Sequence, residues 1–343
     1  RVPSGSGPFP LVLFAHGNHS PFENSTPGYL YLCDLLASRG FLAATIDVNF
    51  LNGWNSGEND GRAIVHLEHV RQFREWNNQP GHPLHRRVDM NNVMLVGHSR
   101  GGEAVGHASL FNRLDEVQPT AAGPVVKLDG STGLGPYKFP LRGLVAIAPT
   151  DGQYQPVSGP TRVVDPYLLI HGSRDGDVYT FPGQKTYDRS HAVDLLAPTE
   201  PAAAAKALVW VHGANHNFFN SIWSQESGTA NLTRADQERI AKVYITAFAE
   251  LTMNGRADYL DLFRNHRIGI DQGWLDATVT LVSQFHDRSR RLLQHFEGPG
   301  PLGFSPPVTG LIDIDDVTAE KLTFDLGPGS HLYQETTGAR LSW

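Results

Sequence analysis

Gly97-His98-Ser99-Arg100-Gly101 is the stretch of this sequence with the clearest chemical content. The apolar run Val93-Met94-Leu95-Val96 leads into it, and residues 103–109, compatible with a helix, follow. A serine on a sharp strand-to-helix turn presents its hydroxyl, and the glycines beside it are needed because side chains there would collide. The bare pattern G-x-S-x-G occurs by chance in many chains. The strand before and the helix after give it meaning here.

A serine hydroxyl is a weak nucleophile at neutral pH, so it needs a base within hydrogen-bond reach and a group that fixes the tautomer of that base. Both types occur downstream. Residues 167–170 lead into His171-Gly172-Ser173-Arg174-Asp175-Gly176-Asp177-Val178, and residues 207–211 lead into His212-Gly213-Ala214-Asn215-His216. Asp175 is preferred over Asp177 as the orienting acid, with Val178 packing back and Asp177 serving the turn. His216 is preferred over His212 as the base, because His212 follows its strand directly and His216 has the length to reach across. Negative charge on the carbonyl oxygen of an attacked acyl group also needs donors, and losing one costs about 3 kcal/mol. The backbone N–H of Arg100, next to the serine, is expected to give one. The N–H of Asn18, in His16-Gly17-Asn18-His19 after the apolar residues 11–15, is expected to give the other. His16 and His98 are expected to buttress these loops.

Elements that can position such groups recur along the chain. Short apolar runs at 11–15, 41–46, 93–96, 144–148, 167–170 and 207–211 have the length and two-faced apolarity of strands in a covered parallel sheet. Helix-like segments separate them, so the expected class is α/β. Leu32 and Leu36 share a helix face that Arg39-Gly40 ends, and Asp60 is expected to cap a helix presenting Ala63, Leu67 and Val70. Thr233 with Asp236 resembles a capping box for a helix with Ile240, Val243, Tyr244, Ala247, Phe248 and Leu251 on one face, ending at Asn254-Gly255. The expected organisation is a catalytic unit over 1–255, a helical extension over 256–295 and, over 296–343, a linker and β segment opening a further domain. The start at Arg1, without methionine, points to a processed or excised segment.

LVLFAHGN, RGFLAATID, GHSRGGEAV, HGSRDGDV and GANHNFF together resemble the α/β-hydrolase superfamily, and within it the branch with chlorophyllases, cutinase-like polyester hydrolases and dienelactone hydrolases. The likeness spans roughly residues 8–253. It implies a mostly parallel sheet with helices on both faces and the chain order Ser99, Asp175, His216, unlike the orders of chymotrypsin and subtilisin. It also implies a serine esterase acting on a small or polymeric carboxylic ester, with a peptidase, an amidase or a non-catalytic binding protein as the alternatives. With so few residues before Leu11, the early strands common in that superfamily are expected to be missing or to lie outside this chain. Phe50, Trp54, Phe218, Phe219 and Trp223 lie near the motif loops, as an apolar acyl pocket or as ordinary core. Residues 151–165 are expected to line the pocket.

Composition narrows the partners. With 28 Lys and Arg against 35 Asp and Glu, the net charge of -7 disfavours a phosphate backbone, so no nucleic-acid partner is expected. Cys33 is the one cysteine and excludes an internal disulfide. No apolar run is long enough for a transmembrane segment. His16 and His19, and His82 and His85 with Pro83 between them, match no H-E-x-x-H pattern. Asp313, Asp315 and Asp316 lack the spacing of a known calcium loop, and neither metal nor cofactor is expected.

Overall fold

The computed structural model describes residues 1–53, 58–118, 123–154, 161–190, 205–226, 230–287, 318–323 and 337–342. Seven strands share one sheet: β1 Phe9–Ala15, β2 Leu42–Ile46, β3 Val88–His98, β4 Leu141–Ile147, β5 Tyr167–Gly172, β6 Ala205–Val211 and β7 Leu281–Asp287. Their spatial order is β2-β1-β3-β4-β5-β6-β7, parallel throughout except where β7 runs antiparallel to β6. All six apolar runs read from the sequence lie within or overlap these strands.

Side-chain alternation divides the core into two layers. Leu11 and Leu13 of β1, Val93 and Leu95 of β3, and Leu144 and Ala146 of β4 point to one face, where α2 Asn59–Asn78 and α3 Arg100–Phe111 cover them through Leu67, Val70, Ala104 and Val105. Val12, Phe14, Met94, Val96, Val145 and Ile147 point to the other, under α1 Leu30–Ser38 and the long helix α5 Arg234–Met253. α4 Gly183–Arg189 follows β5 and adds Tyr187 to the first layer. With both faces covered, every position of these strands is free to be apolar, which explains the unbroken runs in the sequence. A parallel arrangement also brings the ends of β1, β3, β5 and β6, and the loops after them, to one edge of the sheet.

Some local expectations differ from the structure. The stretch 256–295 contains short helices at Leu260–Arg264 and Arg267–Asp271, but it then becomes β7, paired from Val211 with Leu281 to Ala205 with Asp287. The signal was present in Thr278-Val279-Thr280-Leu281-Val282, a β-branched run that suits a strand. At the start of α2 the N-cap position belongs to Glu58, and Asp60 sits in the first turn with its carboxylate accepting from Gly61 N at 2.8 Å. Trp54 and Asp313, Asp315 and Asp316 lie outside the described residues. Beyond 287, Thr318–Thr323 pairs antiparallel with Thr337–Ser342. Among the described residues no helix is long and apolar enough to cross a membrane.

α5 starts as its sequence predicts. Thr233 Oγ1 accepts from Asp236 N at 3.2 Å, and Asp236 Oδ2 accepts from Thr233 N at 3.2 Å. Asn254 ends the helix and Gly255 follows at φ 67°. Replacing such an N-cap typically costs about 1 kcal/mol. Thr233→Ala is therefore expected to lower unfolding stability by that amount in urea titrations; an unchanged midpoint would show that packing, not capping, sets the start of α5.

Candidate active site

Ser99 lies between the last residue of β3 and the first of α3, at φ 57° and ψ -123°. A non-glycine residue holds such a backbone only where its surroundings over-determine it. Here Ser99 N donates to Ile147 O at 2.9 Å, and Ser99 O accepts from Gly102 N at 2.8 Å and Glu103 N at 3.2 Å. The turn is so tight that a Cβ on Gly97 would stand 1.9 Å from Gly101 O.

Asp175 and His216 come from the loops after β5 and β6 and meet in the interior. His216 Nδ1 lies 2.7 Å from Asp175 Oδ2, and both residues are buried. A carboxylate oxygen only accepts, so Nδ1 carries the proton of this bond and Nε2 is the free nitrogen. Asp175 Oδ1 accepts from Asp177 N at 3.0 Å and Val178 N at 2.6 Å, which locks the carboxylate plane. His171 Nε2 stands 3.2 Å from Oδ2. Burial would raise the Asp175 pKa, but His171 and His216 outweigh it and hold the carboxyl well below the usual range. Burial would likewise depress His216, yet the bond and charge of Asp175 raise it.

The competing residues make different contacts. Asp177 has an exposed side chain, with Oδ2 3.6 Å from His216 Nε2. His212 is exposed, 3.5 Å from Ser173 Oγ. Ser99 lines the same cleft as Asp177, and among the described residues its Oγ has no hydrogen-bond partner, His216 included.

The loop after β1 is held from behind. Arg62 of α2, fully buried, donates through Nη1 to His16 O at 3.2 Å and through Nη2 to Leu51 O at 3.2 Å and Asn52 Oδ1 at 2.6 Å. Gly17 O accepts from His16 Nδ1 at 2.8 Å and stands 3.5 Å from Arg62 Nη1. In a trans peptide the C=O and the next N–H point in opposite directions. Asn18 N–H therefore points away from Arg62, and no described residue accepts from it. Asn18 Oδ1 accepts from Gly53 N at 3.0 Å, fixing the loop further. Gly17 passes so close to the serine that a Cβ there would meet Ser99 Cβ at 2.5 Å. Glu58 completes the support: it accepts from Arg62 Nε at 3.1 Å and from Arg100 Nη1 at 2.9 Å.

Several supporting residues were not singled out in the sequence. Glu226 accepts from His216 N at 2.6 Å, Asn217 N at 3.2 Å and Gly176 N at 3.4 Å, joining the loops that carry the acid and the base. Tyr29 donates its hydroxyl to His98 Nδ1 at 3.0 Å, while His98 Nε2 donates to His216 O at 3.1 Å. Arg62 is another. Only for His171, four residues before Asp175 in the same motif, did the spacing offer a cue. The expected buttressing by His16 and His98 is what their hydrogen bonds provide.

The aromatic residues divide differently from an acyl pocket. Phe50 is exposed, Phe218 lies under the Arg234 guanidinium at 4.3 Å, and Phe219 and Trp223 are buried. The Trp223 ring stands 4.8 Å from that of His98, and its Nε1 donates to Ser25 Oγ at 2.8 Å, so it packs behind the site. Among the described residues no group of three or more His, Cys, Asp or Glu is placed to hold a metal ion. No protein-family model matches the chain, and no curated protein matches it.

Burial pushes His16 down to about 4 and His66 down to about 3, and it holds His98 well below its ordinary value, helped by His216. His16 Nε2 accepts from Val48 N at 3.1 Å, so a second proton there would face a donor. A histidine depressed on folding contributes stability above its unfolded pKa of about 6.5 and loses it as pH falls toward the folded value. Asp175 has the same sign, but its window opens only below about 4. His216, raised on folding, has the opposite sign and loses its contribution as pH rises through its folded value. Three groups against one set the direction: the urea midpoint is expected to fall between pH 7 and pH 5. A flat profile would mean that these histidines are not buried in their neutral form.

Proposed function

We propose that this chain is a serine hydrolase of the α/β-hydrolase fold that cleaves carboxylic esters through an acyl-enzyme. The observation that carries this reading is the left-handed turn at Ser99, set on the same sheet edge as the buried His216–Asp175 pair. Ser99 Oγ attacks the ester carbonyl as His216 Nε2 takes its proton, while Asp175 keeps the ring in its Nδ1–H tautomer and stabilises the imidazolium. The tetrahedral oxyanion is received by the N–H groups of Arg100 and Asn18. Collapse breaks the bond to the alcohol, which leaves with the proton from His216. Water then repeats the sequence on the acyl-serine and releases the acid.

Two features support it further. The chain order Ser99, Asp175, His216 is the one the resemblance implies, with Ser99 after the third strand of the parallel series and the acid and base on loops toward the far side of the sheet. Arg62 and His16 aim the Asn18 N–H before any substrate arrives, as preorganised electrostatic stabilisation requires. A serine and base not yet hydrogen-bonded to each other are compatible with catalysis, since such bonds often tighten only in the substrate complex. The motif GHSRGG is similar to that of the chlorophyllase-containing branch, but a shared elbow does not carry a substrate across.

Labelling with a fluorophosphonate, followed by peptide mass mapping, tests the nucleophile directly. The adduct is expected on Ser99 together with Ser99-dependent hydrolysis of p-nitrophenyl acetate; labelling of another serine, or neither result in folded protein, overturns the proposal. Ser99→Ala and His216→Ala are expected to lower kcat by about a millionfold, and Asp175→Asn by about 10⁴-fold. Arg62→Met and the milder Arg62→Lys report on the loop. With circular dichroism showing a folded chain, kcat is expected to fall at least about tenfold for Arg62→Met with little change in KM, because a displaced donor weakens the transition state more than the ground state.

A further inference from the structure

The cleft in front of Ser99 has a volume near 350 Å³, and its described walls are polar. Thr150, Asp151 and Gln153 come from the loop after β4, and Asp177, Thr180 and Lys185 from the segment after β5. Val178 and Pro182 supply the apolar part. Most small-molecule sites have the reverse balance, with a few polar groups set in an apolar wall. An alkyl chain laid here would strip water from charged groups and return no hydrogen bonds to them.

The charges themselves are balanced. Among the described lining residues, two cations, Arg100 and Lys185, and two anions, Asp151 and Asp177, face the cleft. Arg100 is joined to Glu58. Asp151 is joined to the buried Arg189, and its Oδ1 accepts from Thr186 Oγ1 at 2.9 Å. With these two pairs closed within the protein and Lys185 and Asp177 adding one charge of each sign, the described walls offer neither a cationic nor an anionic substrate an excess of opposite charge. Gln153 and Thr180, both exposed, add an amide and a hydroxyl, groups that recognise a neutral partner by donating and accepting at once.

Building on the esterase reading, we infer that the substrate of Ser99 is a compact, uncharged ester bearing hydroxyl or amide groups, and that Gln153 and Thr180 select it over alkyl esters. The test compares p-nitrophenyl N-acetylglycinate with p-nitrophenyl octanoate, each rate divided by its rate with hydroxide alone, for the full chain and for Gln153→Leu and Thr180→Val. The corrected kcat/KM is expected to favour the amide-bearing ester at least about tenfold, and each substitution to reduce that preference severalfold. A preference for octanoate, or a ratio that neither substitution moves, overturns the inference while leaving the serine esterase intact. Absence of any Ser99-dependent turnover removes the esterase reading, and this inference with it.

Discussion

The positive φ of Ser99 is the constraint around which the sheet edge is organised. A serine does not rest in that conformation unaided; it is held because its N–H is taken by β4 and its carbonyl by the first turn of α3. Those bonds require β3 to lie beside β4, α3 to leave at a fixed angle and the loop after β1 to pass without a side chain at Gly17. β1, β3, β4 and α3 thus form a frame about one hydroxyl. Loops bring the remaining groups to it.

Those loops share one device. Glu58, through Arg62, holds the carbonyls of the loop after β1. Glu226 takes N–H groups from the loops after β5 and β6. Glu103, buried in α3, accepts from Tyr154 N at 3.1 Å in the segment after β4 and from Asn59 Nδ2 at 2.8 Å at the start of α2. A backbone segment that leaves a sheet loses its ladder partners, and a carboxylate with several lone pairs can take more than one orphaned N–H. Such groups contribute modest net stability once desolvation is counted, but removing one partner leaves a charge without compensation. Their return is a single loop geometry.

Much of this was legible in the sequence because local chemistry and local structure coincide there. The six parallel strands are apolar on both faces, Thr233 and Asp236 cap each other across one turn, and the Ser99 elbow announces itself in a few residues. Asp175 and His216 follow from strand ends. Glu226 and Tyr29 were hidden because their partners are backbone or lie in distant elements, and neither leaves a spacing pattern. Phe219 and Trp223 show the converse: aromatic residues beside a motif face the core as readily as the cleft. The strand β7 was obscured because a helical neighbour set the expectation for the whole stretch.

That last strand gives the molecule an order of assembly. The other six strands and α5 precede β7 in the chain, yet β7 is what covers the outer edge of β6. Until residues 281–287 emerge from the ribosome, β6 presents unpaired backbone groups along an apolar strand, the kind of edge on which chains associate with one another. Closing it joins segments separated by a full long helix, a non-local step that slows folding. The antiparallel strand is thus the element that shields this edge once it is made.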